Sequence, residues 1–528
     1  MWKRFQNFVH KENSLIGAAG VLIVTTTLSN VLGLLRDHYL ARNIATSDLD
    51  IYYAAFRIPD LIFNVLIFGA ISAAFIPVFA AHLAKDEKNQ AFKLANTLIS
   101  LGAAVLIVLA IILYFLMPGL THLIVPDFDT ARLEKTIQLS RILLLTPIFF
   151  SVSYFVGGML NSFKRFVAYS IAPIVYNLSI IVAAVFFAGR FGVLAVAWFV
   201  VLGAALHIMV QIPTAIKLGW KFQPFFNYKD AGVRRVFKLM IPRAVGMGAN
   251  NLMLVVYTAL ASALTAGSIA VFNLANNIQT MPTVVFATSF STVVFPTLAN
   301  RFSAGDDEGY SSYLTRSMRV IIYLLAPSTV IFILMRAQII RLILGSGKFN
   351  WTDTRMAALT LGWFSFSLVA QGLIPLFAKA YYARHDTRIP TYISVGSIIV
   401  SIAIAYPLSK SMGVAGLALS FSIGSYLNAL ALYFWLYKLV PKILDSAIIW
   451  SGLKVIFASL VMAVVIHYFG NFLYGYFNML KFFGVLEQAA VTIIAGSLVY
   501  ILITYLLGCE ELEWAIKRRV NAKSDSSS

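Results

Sequence analysis

The chain has 528 residues, of which 60% are hydrophobic and only 12% are charged, with a formal net charge of +19. Mean hydropathy is +0.82. A water-soluble fold of this length needs more polar surface than that, so lipid is the expected main solvent. Apolar runs of about 20 residues, rather than about ten with alternation, point to helices and exclude a β-barrel.

The first 14 residues are polar and basic. The apolar stretch after them is too long for a signal-peptide core and has no A-x-A cleavage site, so a retained membrane helix is expected. A window of about 19 residues finds about 14 such segments. They are 14–40, 51–84, 91–118, 136–160, 166–188, 192–216, 236–264, 268–301, 312–335, 356–382, 388–409, 413–437, 446–470 and 485–508. The expected fold is therefore all-α and polytopic, with about 14 transmembrane helices.

The first segment runs into a charged stretch with Arg36, Asp37, Arg42, Asp48 and Asp50. Arg42 and Asp48 fit a solvated outer loop. Arg36 follows an apolar run, and is expected at the outer end of a cleft with Asp37 or Asp50 as its partner. The second segment, "FRIPDLIFNVLIFGAISAAFIPVF", carries Arg57 and Asp60 three residues apart, on one helix face. Pro59 between them removes a backbone donor and lets the helix bend. Two readings stand: an ion pair at the membrane interface, or a cation facing a cavity and restrained by a carboxylate.

An internal repeat follows. "ISAAFIPVFAAHLA" (71–84) resembles "FSTVVFPTLANRFS" (290–303), and "FGVLAVAWFVVLGAAL" (191–206) resembles "MGVAGLALSFSIGSYL" (412–427). The two offsets, 219 and 221 residues, agree. Two six-helix lobes, 1–220 and 221–440, are expected, entering the membrane from the same side as parallel repeats around a midplane cleft. The basic segment that begins "KLGWKFQPFF" joins them. Residues 441–510 add two helices, and 511–528 form a basic cytoplasmic tail.

In the second lobe, Arg243 follows Pro242 near the cytoplasmic end, where it can snorkel or serve function. "FNLANNIQTMP" sets Asn273, Asn276 and Asn277 on one face. Such amides either bind substrate hydroxyls and carbonyls or join neighbouring helices. Asp386 in "RHDTRIP" reads as a helix cap before Pro390, or else as a cation site or inner-gate ion pair with Arg384 or Arg388.

With the N-terminus in the cytoplasm, 26 of the 41 Lys and Arg fall in inside segments and 11 in outside ones. That excess puts both termini in the cytoplasm. It also accounts for most of the net charge, so no nucleic-acid partner is expected. The single cysteine, Cys509, rules out an intrachain disulfide. No HExxH, GxSxG or GxxxxGK[ST] motif occurs. Transport is expected to draw on an ion gradient or the membrane potential, without a bound cofactor.

"NVLGLLRD" (30–37), the second segment, "RFVAYSIAPIVYNLSII" (165–181), "GVLAVAWFVVLGAALHIMVQIP" (192–213), "GSIAVFNLANNIQTMP" (267–282) and "AKAYYARHDTRIPTYI" (378–393) resemble the MurJ (MviN) lipid II flippases. That family belongs to the multidrug/oligosaccharidyl-lipid/polysaccharide (MOP) exporter superfamily. The resemblance covers nearly all of residues 14–440, and 14 helices also fit, where drug exporters of the superfamily have 12. It implies a transporter rather than an enzyme, in the bacterial cytoplasmic membrane. Its substrate would be lipid II, the undecaprenyl-pyrophosphate-linked muropeptide of peptidoglycan synthesis, carried from the inner to the outer leaflet. A monomer among membrane lipids is expected, with coupling to Na+, H+ or membrane potential left open.

Position by position, Arg36, Asp37, Asp50 and Arg57 fall on charged residues of the family pattern, with Asp60 restraining Arg57. A cationic cavity would take the pyrophosphate, and a groove along the last two helices would take the lipid tail. Asn30, Phe63 and Asn277 stand where many members have Arg, while Phe68 and Asn276 stand where many have an acidic residue. Arg36 and Arg57 would then carry more of the pyrophosphate binding, with Arg243 or Lys379. A flippase for another lipid-linked glycan, or a drug or cation exporter of the same superfamily, is the alternative.

Overall fold

The computed structural model describes residues 15–68, 75–227, 229–440 and 446–512, all as helices and short connections, with no strand among them. In a bilayer a helix satisfies its own backbone donors and acceptors, which suits segments this apolar. Each of the 14 expected segments coincides with helix over most of its length. Among the described residues, nine helical spans are long and apolar enough to cross a membrane. They become ten if the pair Trp351–Ser365 and Leu368–Ala383, bent by 45°, is one span. Those numbers are compatible with 14 helices but do not count them.

By packing, the chain forms two compact units: Met1–Ala270 with Ser346–Asn350, and Val271–Gly345 with Trp351–Ser528. This division is a different quantity from the repeat boundary at 220/221, which rests on sequence similarity.

The first unit begins with α1 (Leu15–Asn43), α2 (Thr46–Ala55) and α3 (Arg57–Ile62). The break between α2 and α3 falls at Phe56. Pro59 has no N–H to offer the carbonyl four residues back, so the helical ladder is interrupted there. A π-helical turn, Phe63–Phe68, follows α3, and α4 (Ile76–Ala84) resumes the helix. Then come α5 (Lys88–Ile124), α6 (Thr130–Leu143), α7 (Leu145–Ser162), α8 (Phe166–Val182), α9 (Ala188–Met209), α10 (Ile212–Lys217) and α11 (Ala231–Ser262). The core of this unit gathers Phe75, Phe79 and Phe155, with ring centroids 5.2–5.3 Å apart. Gly158 makes room for them: a Cβ there would lie 2.9 Å from the Phe75 ring. The basic connection after α10 is tied to α5, because Trp220 Nε1 donates to Asn96 Oδ1 (2.8 Å) and Asn96 Nδ2 donates to the Lys221 carbonyl (2.9 Å).

The second unit takes most of α12 (Ser268–Pro282), then a π turn (Thr283–Thr288), α13 (Ser289–Ser303), α14 (Asp307–Leu334) and α15 (Arg336–Ile343). It continues with α16 (Trp351–Ser365), α17 (Leu368–Ala383), α18 (Arg388–Met412), α19 (Val414–Leu439), α20 (Ser446–Leu473) and α21 (Phe482–Leu506). Two buried tyrosines hold its core, Tyr310 donating to the Ala380 carbonyl (2.7 Å) and Tyr381 to the Leu432 carbonyl (2.9 Å).

The repeat read from sequence reappears in the backbone. Positive φ angles occur at Asp86 and Gly305, Lys164 and His385, and Gly192 and Gly413, pairs 219, 221 and 221 residues apart. After the first two pairs the chain closes in one way, with Glu87, Asp306, Arg165 and Asp386 each donating to the carbonyl five residues earlier (2.8–3.0 Å). That is the Schellman ending of a helix. Of the three π turns among the described residues, Phe63–Phe68 and Thr283–Thr288 start 220 residues apart, while the third, Ala183–Phe187, has no π-turn counterpart in the second half. Ser179 Oγ donates to the Phe199 carbonyl and Ser401 Oγ to the Ser420 carbonyl, both at 2.8 Å.

The last two helices are not loosely attached. Tyr500 donates to the Tyr323 carbonyl (2.8 Å), and an apolar cluster joins α14 to α20 and α21 through Val455, Met462 and Ile466. Arg319 of α14 reaches Glu511 through Nε (2.6 Å) and Glu510 through Nη1 (3.0 Å), and Ser451 donates to the same Glu511 oxygen (2.5 Å). The side chain of Glu511 is 1% exposed. Sequence put it at the start of a solvated tail; the structure makes it a buried anchor.

Candidate functional site

The charged residues of the first unit separate into three groups. In the first, Arg36 grips Asp37 Oδ1 through Nε (3.0 Å) and Nη2 (2.8 Å), while Nη1 donates to Asn177 Oδ1 of α8 (3.1 Å). Asp37 is buried and the Arg36 side chain keeps 23% of its surface open. A guanidinium held on one side by a carboxylate and an amide has its direction fixed, as recognition of a phosphate requires.

Asp50, the alternative partner for Arg36, is committed elsewhere. Its carboxylate accepts from the backbone N–H of Gly267 (2.6 Å) and Ala270 (2.8 Å), and from Arg132 Nη2 (2.9 Å). It thus sits on the N-terminal turn of α12, where unpaired amides and the helix dipole favour an anion. Its supporting role is to anchor that turn, not to pair with Arg36.

The third group lies between α3 with its π turn and α11. Arg57, 8% exposed, donates from Nε to Thr258 Oγ1 at 2.6 Å, and Thr258 passes its own proton to the Leu254 carbonyl (2.7 Å). One helical repeat further on, Asn64 Nδ2 donates to Asn251 Oδ1 (3.2 Å) and to the Asp60 carbonyl (2.9 Å). The partners run in opposite order, 57 and 64 against 258 and 251, so the two helices are antiparallel with polar rungs seven residues apart. Val65 packs beside Gly248, where a Cβ would lie 3.5 Å from its methyl. Asp60 lies three residues beyond Arg57 on α3. Phe63 packs at a tilt against Phe150 and Tyr154 (5.5 and 5.2 Å between centroids).

In the second unit, Asn273, Asn276, Asn277 and Thr280 form the half-buried stripe of α12, as the i, i+3, i+4 spacing predicts. Asn277 lies 220 residues after Arg57, the spacing of the Phe63–Phe68 and Thr283–Thr288 π turns, so it is the repeat counterpart of that arginine. Beside the stripe, fully buried Gln279 donates to Asn276 Oδ1 (3.1 Å) and exchanges hydrogen bonds with Gln371 of α17 (3.0 and 3.4 Å). Gln371 in turn donates to Ser367 Oγ (2.8 Å). Gln279 and Gln371 therefore join α12 to α17.

Asp386 is a cap: its Oδ1 accepts from the backbone N–H of Arg388 (2.8 Å) and Ile389 (3.2 Å) at the start of α18. Arg384 stacks over the rings of Phe302 (4.9 Å) and Tyr310 (5.9 Å). Among the described residues no ion pair joins Asp386 to Arg384 or Arg388, and no group of three or more His, Cys, Asp or Glu could hold a metal ion. Lys379 donates to Thr292 Oγ1 (2.6 Å). The Arg243 and Phe68 side chains lie outside the described residues.

Sequence reasoning did not single out Thr258, Asn251, Asn177, Gln371 or Arg132. One signal was present: polar residues seven apart on two apolar segments, Arg57 and Asn64 on one and Asn251 and Thr258 on the other.

The model of the family described as lipid II flippase MurJ matches residues 44–487. The chain belongs to the lipid II flippase MurJ family. Among MurJ relatives, the lipid II flippase MurJ of Burkholderia cenocepacia is 30% identical over 428 residues, 78% of this chain and 82% of that protein. A probable lipid II flippase MurJ of Rhizobium tropici is 28% identical over 91% of this chain and 92% of its own length. A solved MurJ in an inward closed conformation superposes with a TM-score of 0.77 at 23% identity, covering 92% of this chain and 98% of that one. An inward-facing multidrug transporter of the MATE family, in the MOP superfamily, gives 0.68 at 13% identity over 80% and 98%. At these identities the two structural matches speak to fold. The chain is thus a polytopic membrane protein with the MurJ/MATE helical fold.

Proposed function

We infer that this chain is a lipid II flippase, carrying the undecaprenyl-pyrophosphate-linked muropeptide from the inner to the outer leaflet for peptidoglycan synthesis. The observation that carries this reading is membership of the MurJ family across residues 44–487, a range that includes Arg57 and the amide stripe of α12. Arg36 and Arg57 supply cationic donors for the pyrophosphate, with Asp37 and Asp60 setting their direction, and Asn273 and Asn277 offer amides to the sugars. The protein works in the bacterial cytoplasmic membrane as a monomer, with both termini on the cytoplasmic side. The driving force is an ion gradient or the membrane potential. The last two helices hold the lipid tail.

The test is complementation in cells depleted of their own lipid II flippase. Wild type should restore growth and the outer-leaflet appearance of lipid II. Arg36→Ala and Arg57→Ala should fail at normal membrane levels. Growth without lipid II reaching the outer leaflet would overturn the reading.

A further inference from the structure

Within the first unit, α5, α6 and α9, with Leu145 of α7, line an open cavity of about 730 Å³ that takes no part in the arrangement above. Its polar lining is Glu134, Gln138 and Arg141 of α6, with Tyr114 of α5 and Trp198 of α9 beside them and leucine and isoleucine side chains completing the wall. The volume falls within the range of small-molecule sites, about 300–1,000 Å³.

Arg141 is held in place without being neutralised. Its Nε donates to the Tyr114 carbonyl (3.0 Å) and its guanidinium lies over the Tyr114 ring at 4.3 Å. These are the contacts it makes among the described residues; none is an ion pair, and the two terminal nitrogens are left for a ligand. The surroundings are lipid-facing: Ile111, Ile112, Phe115 and Leu116 of α5 are exposed, and Trp198 is 52% exposed. Tyr and Trp collect where acyl chains meet headgroups. A fixed cation in that wall calls for an anion that arrives from the membrane, and a guanidinium fork matches a phosphate.

Glu134 lies seven residues before Arg141, about 10 Å closer to the start of the helix at 1.5 Å per residue. It is exposed and has no ion pair with a described residue. On the topology expected from the charge pattern, that direction is outward. The order along α6 is then a carboxylate near water, Gln138 in the middle, and a cation deeper in. The headgroup of an aminophospholipid has the complementary order: ammonium outermost, phosphate beneath it, acyl chains below.

We propose that this cavity is a lateral binding site for a phospholipid carrying a phosphate and a primary ammonium, that is, phosphatidylethanolamine of the outer leaflet. Arg141 takes the phosphate, Glu134 the ammonium, and the apolar wall the upper acyl chain. An anionic lipid with a glycerol headgroup satisfies Arg141 but brings no cation to Glu134, leaving that carboxylate uncompensated beside a net negative lipid, so the site discriminates between headgroups.

Native mass spectrometry of the purified full-length protein, titrated with phosphatidylethanolamine, phosphatidylcholine or phosphatidylglycerol, tests this. Wild type should retain phosphatidylethanolamine at least several-fold more strongly than the other two. Arg141→Ala should reduce retention about tenfold, and Arg141→Lys should recover part of it. Glu134→Gln replaces an exposed side chain, so its folding is not at issue; it should weaken phosphatidylethanolamine and strengthen phosphatidylglycerol. Equal retention of all three lipids by wild type, or unchanged selectivity in Glu134→Gln, overturns the proposal.

Discussion

Arg57 of α3 and Thr258 of α11 are 201 residues apart in sequence and joined by a 2.6 Å hydrogen bond, with the threonine relaying to its own helix through the Leu254 carbonyl. The hydroxyl is the only part of Thr258 that valine lacks, so Thr258→Val isolates the bond. Hydrogen bonds to charged groups contribute about 1.5–3 kcal/mol. Thr258→Val should lower thermal stability by that order and weaken flipping while leaving the charge in place. Arg57→Lys should retain more activity than Arg57→Ala, since charge survives without the planar fork. Wild-type transport in Thr258→Val would detach this contact from function.

Gly192 and Gly413 hold φ values of 60° and 63° with ψ near −150° and −142°, a region that costs a side-chain-bearing residue about 1–3 kcal/mol. At both, an added Cβ would meet nothing within 4 Å. Gly192→Ala and Gly413→Ala should therefore lower the unfolding temperature by similar amounts. Gly416→Ala is the contrast, because its Cβ would fall 2.0 Å from the Leu408 carbonyl oxygen and force α18 and α19 apart. Its loss should exceed either of the others in a thermal-shift series on detergent-purified protein.

Asp386 separates a cap from an ion site. Asparagine preserves the acceptor that caps α18 and removes the charge, whereas alanine removes both. Asp386→Ala should cost about 1 kcal/mol of stability, and Asp386→Asn much less. Flipping by Asp386→Asn should respond to sodium and to membrane potential as the wild type does; a difference between the two would return the residue to an ion-binding role.

Asp50 joins a cap to an ion pair. Its carboxylate serves two backbone amides of the α12 turn and Arg132, and its side chain is 3% exposed against 24% for Arg132. Removing one partner of a buried pair costs about 3–5 kcal/mol, and the partial exposure of Arg132 places this pair toward the lower figure. Asp50→Ala should be more destabilising than Asp50→Asn, and adding Arg132→Leu to Asp50→Ala should recover part of the loss. Additive effects in that double-mutant cycle would mean that the pair contributes nothing as a pair.

The helices and their repeat were legible because they rest on local or periodic signals. Apolar run length gave the segments, and Pro77 with Pro296 and Gly192 with Gly413 gave the offset that the backbone angles reproduce. The Asp386 cap was legible for the same reason, since its partners are two and three residues away. Asp50 was not, because the amides it caps lie 217 and 220 residues downstream. Nothing local distinguishes a carboxylate that solvates a loop from one that closes a distant helix. Gln371 and Thr258 are similar cases: a single polar residue in an apolar helix announces that it needs a partner, and only packing chooses which.

The bond between Arg319 and Glu511 spans 192 residues and is closed by the last described turn of the chain. A ribosome adding about 5–20 residues per second needs roughly 10–40 s to cover that distance. For that interval α14 is already made while its cation and the apolar face awaiting α20 and α21 lack their protein partners. The final helices therefore act on the birth of the protein as well as on its finished form. A nascent chain stalled before residue 446 is not a smaller transporter but an unfinished one, open to membrane proteases and chaperones at a site that the mature protein conceals.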